Sequence, residues 1–194
     1  MPASQPAHLI EEAKGLLGRS LIRQLNGEQL AGTIVEVELY HEQDPASHSF
    51  KRKSDRNSAM FLPRNHAYVY RSYGIHYCLN VTAGEQDEGA AILIRALQPL
   101  TGIETMASNR LRKRPSATWD KKMLCSGPGK TTQALGIDLN LNSHSLDAPP
   151  LQISSSRGVI KPNEIVTTTR IGISQAREAP LRFYLRGNEF ISKK

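Results

Sequence analysis

The sequence predicts a single-domain α+β fold in which antiparallel strands and a few helices enclose one hydrophobic core. The chain has 194 residues, a length that suits one domain, and 39% of them are hydrophobic. Two segments have the pattern of β-hairpins, while helical spacing of apolar residues is confined to short stretches. We therefore expect one α+β domain over residues 1–194.

The N-terminal part of the chain predicts a helix followed by a hairpin. Apolar residues recur at helical spacing over residues 8–17 (HLIEEAKGLL), which indicates a first helix. The segments SLIRQL and EQLAGTIVEVELY flank Asn26-Gly27, a dipeptide that accepts the positive φ angles of a type I′ turn. We expect two antiparallel strands joined at this turn.

The middle of the chain predicts a second hairpin and an interior strand. Residues 67–73 (AYVYRSY) and 76–82 (HYCLNVT) are rich in β-formers and lie on either side of Gly74. Residues 90–97 (AAILIRAL) are almost wholly apolar, which is typical of a strand covered on both faces.

Two helices are predicted after these strands. Thr101 and Glu104 have the spacing of a capping box, which predicts a helix over residues 102–112. A shorter helix is predicted to begin near Lys130 and to stop at Gly136.

The remainder of the chain is predicted to be loop and short strands. Residues 138–164 are rich in Asn, Ser and Pro and indicate a loop with one short strand. Residues 165–173 (IVTTTRIGI) and the segment RFYLRG have β character.

The charge of the chain favours a polyanionic partner, although many basic proteins bind no nucleic acid. The net charge is +7 and the pI is about 9.6. Two segments concentrate the positive charge: Lys51, Arg52, Lys53 and Arg56 in the first, and Arg110, Arg112, Lys113, Arg114, Lys121 and Lys122 in the second. Such segments contact phosphates in some proteins and are solvated loops in others.

The cysteines and the N-terminal sequence indicate a cytoplasmic protein, nucleoid-associated in a bacterium. Cys78 and Cys125 are far apart and form no CxxC pair, so we expect two reduced thiols. The N-terminal stretch carries acidic residues and lacks the pattern of a signal peptide. No apolar run approaches the ~20 residues that span a bilayer, so we expect no membrane association.

A strand with two glutamates is the first candidate for chemistry. In TIVEVELY side chains alternate between faces, so Glu36, Glu38 and Tyr40 share one face. Two carboxylates and a phenol in one row can supply a general base beside an aromatic surface. The alternative is a solvent-exposed polar face with salt bridges to Lys or Arg.

The second hairpin is the other candidate. Four of the six tyrosines lie between residues 68 and 77. Tyr68 and Tyr70 share a face, and Tyr70 offers a surface on which a base can stack. Tyr73 lies at the turn beside Gly74, where an aromatic side chain can act as a wedge between base pairs. The alternative is the ordinary preference of tyrosine for strands.

Two further motifs do not predict the chemistry that they first suggest. Gly129-Lys130-Thr131 ends like a phosphate-binding P-loop, but that motif needs glycine at 124, where this chain has Leu124. The helix start still offers N–H groups and a lysine to a phosphate, or it is a plain entry turn. His41, Asp44 and His48 lie in one loop without a second ligand cluster, so no metal site is predicted.

Taken together, the segments resemble the alkyladenine (3-methyladenine) DNA glycosylase family. The matching stretches, in the same order from about residue 12 to 192, are LAGTIVEVELY, DPASH, RNSAMF, HAYVYRSYGIHYCLNV, AAILIRALQPLTGIETM, LCSGPGKTTQALGI, RIGI and PLRFYLRG. The resemblance implies a curved, mostly antiparallel sheet with flanking helices and a protruding β-hairpin, similar to the C-terminal domain of methionyl-tRNA formyltransferase.

The resemblance also implies roles for individual residues. Glu38 matches the general base, and Tyr73 matches the residue that intercalates into DNA. The residues that match the binding site of the flipped base are Tyr40, Ala46, His48, Tyr70, Asn80 and Arg95. The residues in stretches that approach the DNA backbone are Arg56, Met60 and Lys130. Leu39, Arg52, Asp55 and the 62–65 turn depart from the family pattern, but the catalytic positions match.

The activity implied by the resemblance is base-excision repair by a monofunctional DNA glycosylase. Alkylated or deaminated purines (3-methyladenine, 7-methylguanine, hypoxanthine, ethenoadenine) would be flipped out of the duplex and their N-glycosidic bonds hydrolysed, leaving an abasic site. No lyase step, metal or organic cofactor is expected, the partner is damaged double-stranded DNA, and the protein is expected to act as a monomer. The rivals are a non-catalytic duplex DNA-binding protein and an RNA-binding β-domain.

Overall fold

One curled antiparallel sheet organises the structure. The computed structural model describes residues 6–111 and 118–193. Its helices and strands, in chain order, are α1 (Ala7–Leu16), β1 (Arg19–Leu25), β2 (Glu28–Tyr40), β3 (Ala67–Ser72), β4 (His76–Thr82), β5 (Ala91–Thr101), α2 (Ile103–Leu111), α3 (Lys121–Leu124), α4 (Pro128–Leu135), β6 (Leu151–Arg157), β7 (Ile165–Thr168) and β8 (Arg182–Leu185). Short 3₁₀ helices lie at Asp55–Phe61, Leu139–Leu141 and Pro162–Glu164.

Strand β2 is the centre of this sheet because it pairs with three other strands. The order is β3-β4-β5-β2-β1-β6, and β8 pairs with both β2 and β7. Every pair is antiparallel. The first half of β2 pairs with β1, and residues 36–38 pair with β8 on that side while β5 pairs along the other. Residues 36–38 therefore lie in the interior of the sheet.

Helices pack against the apolar side chains of the sheet. Leu9, Ala13 and Leu16 of α1 are buried, as are Ala134 and Leu135 of α4, and all five belong to the main hydrophobic core. The predicted α+β class is thus confirmed. In the ranges 6–111 and 118–193, no helix combines the length and apolarity needed to cross a membrane.

Both predicted hairpins are present. The β1–β2 turn has φ of 52° at Asn26 and 82° at Gly27, and the β3–β4 turn has φ of 50° at Tyr73 and 69° at Gly74. Positive φ at two successive residues is the conformation of a type I′ turn, whose twist matches that of the flanking strands. The second hairpin places Tyr73 at its tip.

The boundaries of several elements differ from those predicted. Helix α4 begins at Pro128, two residues before Lys130, because proline suits the first turn of a helix, and it ends as predicted at Gly136. The described part of α2 begins at Ile103, and position 112 of the predicted helix lies outside the described residues. The four-residue α3 was not predicted.

The predicted strand over residues 165–173 is wrong in its second half, since β7 ends at Thr168. Beyond it, the Arg170 guanidinium donates to the carbonyl of Leu39, and the Ile171 N–H donates to the Glu38 side chain. These hydrogen bonds hold the segment against the end of β2 without a strand partner. The chain therefore leaves the sheet after Thr168 instead of extending it.

Candidate active site

A cavity of about 550 Å³ opens beside the C-terminal end of β2. Its volume lies within the range of small-molecule binding sites. Seven parts of the chain form its wall: the end of β2, the loop after it, the first 3₁₀ helix, the β3–β4 hairpin, β5, the start of α4 and the loop after β7. The lining residues are Tyr40, Ala46, His48, Arg56, Met60, Tyr68, Tyr70, Arg71, Ser72, Tyr73, Cys78, Asn80, Leu93, Arg95, Pro128, Ile171, Gly172 and Ile173.

Glu38 lies behind the wall of this cavity and is fully buried. Its Oε2 accepts hydrogen bonds from the Tyr40 hydroxyl at 2.8 Å and from Arg95 Nη1 at 3.2 Å. Its Oε1 accepts from the Ile171 N–H at 2.8 Å. Glu38 is not itself a lining residue, but all three donors are, so the carboxylate lies one hydrogen bond behind the wall.

The predicted polar face of β2 is buried rather than exposed. The register against β5 shifts on both sides of Glu36, and the side chains of Glu36 and Glu38 have no solvent exposure. The alternative interpretation expected salt bridges from these glutamates to Lys or Arg at the surface. Salt bridges to arginine do form, but in the interior of the protein. Arg95 bridges the two carboxylates, with Nε 3.4 Å from Glu36 Oε1, and Arg182 Nε donates to the same oxygen at 2.7 Å. This network fixes the guanidinium that contacts Glu38.

Three aromatic side chains form one wall of the cavity. The ring centroids of His48 and Tyr70 are 4.6 Å apart with the rings steeply inclined, and those of Tyr68 and Tyr70 are 5.5 Å apart. His48 Nδ1 lies 2.8 Å from the Tyr68 hydroxyl. Burial raises the pKa of Tyr68 to about 12, so its phenol stays protonated at neutral pH.

A buried asparagine holds the loop that carries His48. The amide nitrogen of Asn57 donates to the carbonyl of His48 at 2.8 Å and to that of Arg52 at 3.0 Å. Its amide oxygen accepts from the Ser54 N–H at 2.7 Å, which caps the first 3₁₀ helix. The loop is therefore tied to a fixed element, which gives His48 a defined position.

The pKa of His48 is lowered, first by burial of the imidazole and second by the positive charge of Arg56. Both causes disfavour the imidazolium, so the ring is neutral at pH 7.

We expect the substitution Arg56→Gln to raise the pKa of His48, because one of the two causes of the lowered value is removed. NMR titration of the His48 ring measures this shift. The matched control is Arg186→Gln. Arg186 donates to the Asn163 carbonyl, so we expect this substitution to leave the pKa of His48 unchanged. An unchanged or lower value in Arg56→Gln would contradict the expectation.

The hairpin tip places Tyr73 at the mouth of the cavity. Its side chain is 88% exposed, and Ile75 beside it is also exposed. Two large exposed side chains at one hairpin tip make a small apolar surface suited to contact with a partner. The predicted place of Tyr73 at the turn is confirmed.

The other predicted site residues fall into two groups. Ala46, Asn80 and Arg95 line the cavity, and Asn80 is held there by donating to the Tyr68 carbonyl at 3.0 Å. Arg56 also lines it. Met60 lines it too, and it is buried in a cluster with Phe61 and Tyr68, so its side chain forms part of the inner wall. Lys130 is not a lining residue, and its Nζ donates to Ser126 Oγ at 3.1 Å.

The two basic segments are placed differently. The first borders the cavity through Arg56, while its Lys53 pairs with Asp87 at 2.8 Å. In the second, Lys122 pairs with Glu189 at 2.6 Å. Arg112, Lys113 and Arg114 lie outside the described residues. The suggested metal cluster does not form: within the described ranges no three His, Cys, Asp or Glu side chains converge, and Asp44 is paired with Arg170.

Sequence reasoning missed the loop after β7 as part of the site. Ile171, Gly172 and Ile173 line the cavity, and the Ile171 N–H fixes Glu38. Cys78 was also missed, and burial raises the pKa of its thiol. The segment RIGI was noticed only through the family resemblance, because its β-like composition carries no signal of a site.

Comparison with known proteins gives consistent matches along the chain. The sequence matches the family described as methylpurine-DNA glycosylase (MPG) over residues 4–189. A relative from Carboxydothermus hydrogenoformans is 45% identical over 182 residues, which cover 94% of this chain and 92% of the relative. One from Nitrosospira multiformis is 44% identical over 198 residues, covering 100% of this chain and 96% of the relative. Both carry the name "Putative 3-methyladenine DNA glycosylase".

Proposed function

The chain belongs to the methylpurine-DNA glycosylase family, and from this we propose that its cavity binds a damaged purine turned out of duplex DNA, with Glu38 activating the water that replaces it. The motif resemblance and the whole-chain matches agree, and they make the protein a monofunctional DNA glycosylase, a hydrolase of N-glycosyl bonds. The substrate, the flipping step and the residue roles below are proposals.

One observation carries the proposal: a buried carboxylate lies directly behind the wall of an aromatic cavity of about 550 Å³, which has room for a purine. A carboxylate offers about four lone-pair sites, and protein donors occupy three of those on Glu38. Among the described residues, Oε1 accepts a hydrogen bond only from the Ile171 N–H, so it keeps a lone pair to which a water can bond. A water held there is a hydrogen bond away from its general base.

The reaction follows from this placement. The water oxygen forms a bond to C1′ of the sugar as its proton passes to Glu38. The bond between C1′ and the purine nitrogen breaks, and its electron pair leaves with the base. The negative charge of Glu38 also stabilises the positive charge that develops on the sugar. The products are the free base and an abasic site, with both strands intact.

The aromatic wall supports recognition of the base. Tyr40, His48 and Tyr70 surround the space in which the base would stack, a contact worth roughly 1–3 kcal/mol per base. Within the described residues, the Ala46 N–H is bonded to Asp44 and the His48 carbonyl to Asn57. This leaves the Ala46 carbonyl and the His48 N–H for the edge of the base.

Asn80 supports discrimination among purines. Its side chain lines the cavity and is fixed by its bond to the Tyr68 carbonyl. A fixed amide at this place would collide with the exocyclic amino group of guanine, so undamaged guanine would be disfavoured. Tyr73 at the mouth would enter the stack and hold the gap open after extrusion, a step that costs a few kcal/mol.

The test is excision from a panel of defined duplexes. Each duplex carries 3-methyladenine, 7-methylguanine, hypoxanthine or ethenoadenine, and an undamaged duplex of the same sequence is the control. We expect release of at least one damaged base, with strand breaks appearing only after alkali treatment. Size-exclusion chromatography of the protein–duplex complex measures its mass and so tests whether the protein acts as a monomer.

The same panel separates the rival functions. A non-catalytic DNA-binding protein would bind the duplexes and leave no alkali-labile sites. An RNA-binding domain would prefer tRNA to duplex DNA at equal salt. Binding without abasic sites on any of the four lesions would contradict the proposed function.

A further inference from the structure

A buried ion pair between Asp44 and Arg170 lies against the cavity without lining it. Arg170 Nη2 donates to Asp44 Oδ1 at 2.9 Å, and Nη1 donates to the other carboxylate oxygen, which makes the pair bidentate. Both side chains are almost completely shielded from solvent. The guanidinium carbon lies 4.6 Å from the centroid of the Tyr40 ring, on its face.

The pair connects three separate parts of the cavity wall. Arg170 Nη1 also donates to the Leu39 carbonyl at 2.9 Å, at the end of β2. Asp44 accepts from the Ala46 N–H at 3.0 Å, in the loop that carries His48. Arg170 directly precedes Ile171, whose N–H binds Glu38. One ion pair thus fixes the loop after β2, the end of β2 and the loop after β7 relative to one another.

Stability alone does not account for this arrangement. Removing two charges from water is costly, and an apolar pair of similar volume is often as stable or more so. The Arg170 Nε is buried, and among the described residues it has no hydrogen-bond partner, which adds to the cost. What the ion pair provides, and an apolar pair would not, is a fixed positive charge on the ring of Tyr40.

That charge alters the surface that Tyr40 offers to a base. Tyr40 lines the cavity and Arg170 does not, so the ring meets the guanidinium on one face and the cavity with its remaining surface. An aromatic face attracts cations through its electron density. A guanidinium already stacked on one face of the ring polarises its electron density toward itself. Its charge also repels a second cation on the other side of the ring.

We propose that Arg170, held by Asp44, is a positioning and specificity-determining residue that fixes the Tyr40 ring and reduces its attraction for positively charged purines, so that neutral damaged purines compete for the same pocket. The inference rests on the proposed function, because it assigns the substrate range of the same cavity. It concerns the ratio between substrates and leaves the chemistry to Glu38.

The test compares one cationic and one neutral lesion in the same duplex. The double variant Arg170→Gln/Asp44→Asn removes both charges and keeps side chains of similar shape. Single-turnover excision of 3-methyladenine, which is cationic and lacks a 2-amino group, and of hypoxanthine is measured at saturating protein. We expect the ratio of the cationic to the neutral rate to rise about fivefold, the size of one cation–π contact. Arg170→Lys keeps the charge, so we expect its ratio to stay near that of the parent even if both rates fall.

The control is a second charge pair neutralised in the same way. Glu11→Gln/Lys14→Gln removes a pair on α1, with its atoms 2.9 Å apart and away from the lining residues, and is expected to leave the ratio unchanged. If the double variant at Arg170 does not fold, Arg170→Met/Asp44→Leu replaces the ion pair with apolar side chains and the same ratio decides.

The outcomes separate the two proposals. If the parent excises both lesions and the neutralised variant loses both rates in parallel, the pair is only structural and the inference is overturned while the proposed function stands. If the parent releases a base from the four-lesion panel but from neither of these two duplexes, the proposed function stands and the inference, which needs both lesions in one pocket, is overturned. If the parent releases none of the four, the proposed function fails and the inference fails with it.

Discussion

The substitution Glu38→Gln is expected to reduce base excision by about 1000-fold or more while duplex binding remains. A positioned general base contributes roughly 10²–10⁴ to the rate, and the charge of Glu38 stabilises the developing positive charge on the sugar as well. Glutamine keeps the shape of the side chain but cannot take the proton of the water. In the proposed function the duplex contacts the mouth of the cavity, so we expect binding to persist without this carboxylate. Single-turnover excision and a binding titration on the same damaged duplex measure the two effects.

Glu36→Gln is the matched control for this change. Glu36 and Glu38 lie on the same strand, are both fully buried and both contact Arg95. Loss of the Glu36 charge disturbs the same network but removes no group that meets the water. We expect a rate loss at least tenfold smaller than in Glu38→Gln, with both variants compared at a temperature at which their unfolding curves show them folded. Near-normal excision by Glu38→Gln would overturn the assignment of the base.

The substitution Tyr73→Ala is expected to reduce excision from paired duplexes by about 5- to 150-fold. This range corresponds to the roughly 1–3 kcal/mol of one aromatic stacking contact, which is lost when the gap in the duplex is no longer filled. The side chain is 88% exposed, so stability of the fold should change by no more than about 0.5 kcal/mol. Ethenoadenine is fluorescent and is quenched while stacked, so a stopped-flow trace separates extrusion from hydrolysis.

Val159→Ala is the control for this variant. Val159 is 95% exposed and is not a lining residue of the cavity, so its removal tests the loss of an exposed apolar side chain elsewhere on the surface. We expect Val159→Ala to match the parent. In Tyr73→Ala the loss should be smaller when the lesion lies in a mismatch or bulge, where less pairing energy opposes extrusion. An unchanged extrusion phase in the paired duplex would remove the wedge role.

Most strands and the two hairpins follow from local patterns in the sequence. Asn26-Gly27 determines its turn because few residues accept positive φ, and that preference acts through the residues themselves. The apolar run in β5 predicts an interior strand, since burial on both faces is the main reason for such a run. The exposed position of Tyr73 follows from its place at a two-residue turn.

The second half of the 165–173 segment could not be predicted in this way. IVTTTRIGI has the composition of a strand throughout, yet the chain leaves the sheet after Thr168. The reason is non-local: the partners that satisfy Arg170 and Ile171 lie 126 to 133 positions earlier in the sequence. No window of neighbouring residues contains that information.

The sequence by itself determined the chemical groups and the regular elements that carry them: a carboxylate on an apolar strand, tyrosines on a hairpin and two basic segments. Only the tertiary structure decided that β2 would be paired on both sides, so that Glu38 became a buried carboxylate with three donors, and that Asp44 and Arg170 would meet behind Tyr40. The physical reason is that local propensity acts over a few residues, whereas burial and ion pairing depend on which distant segments pack together.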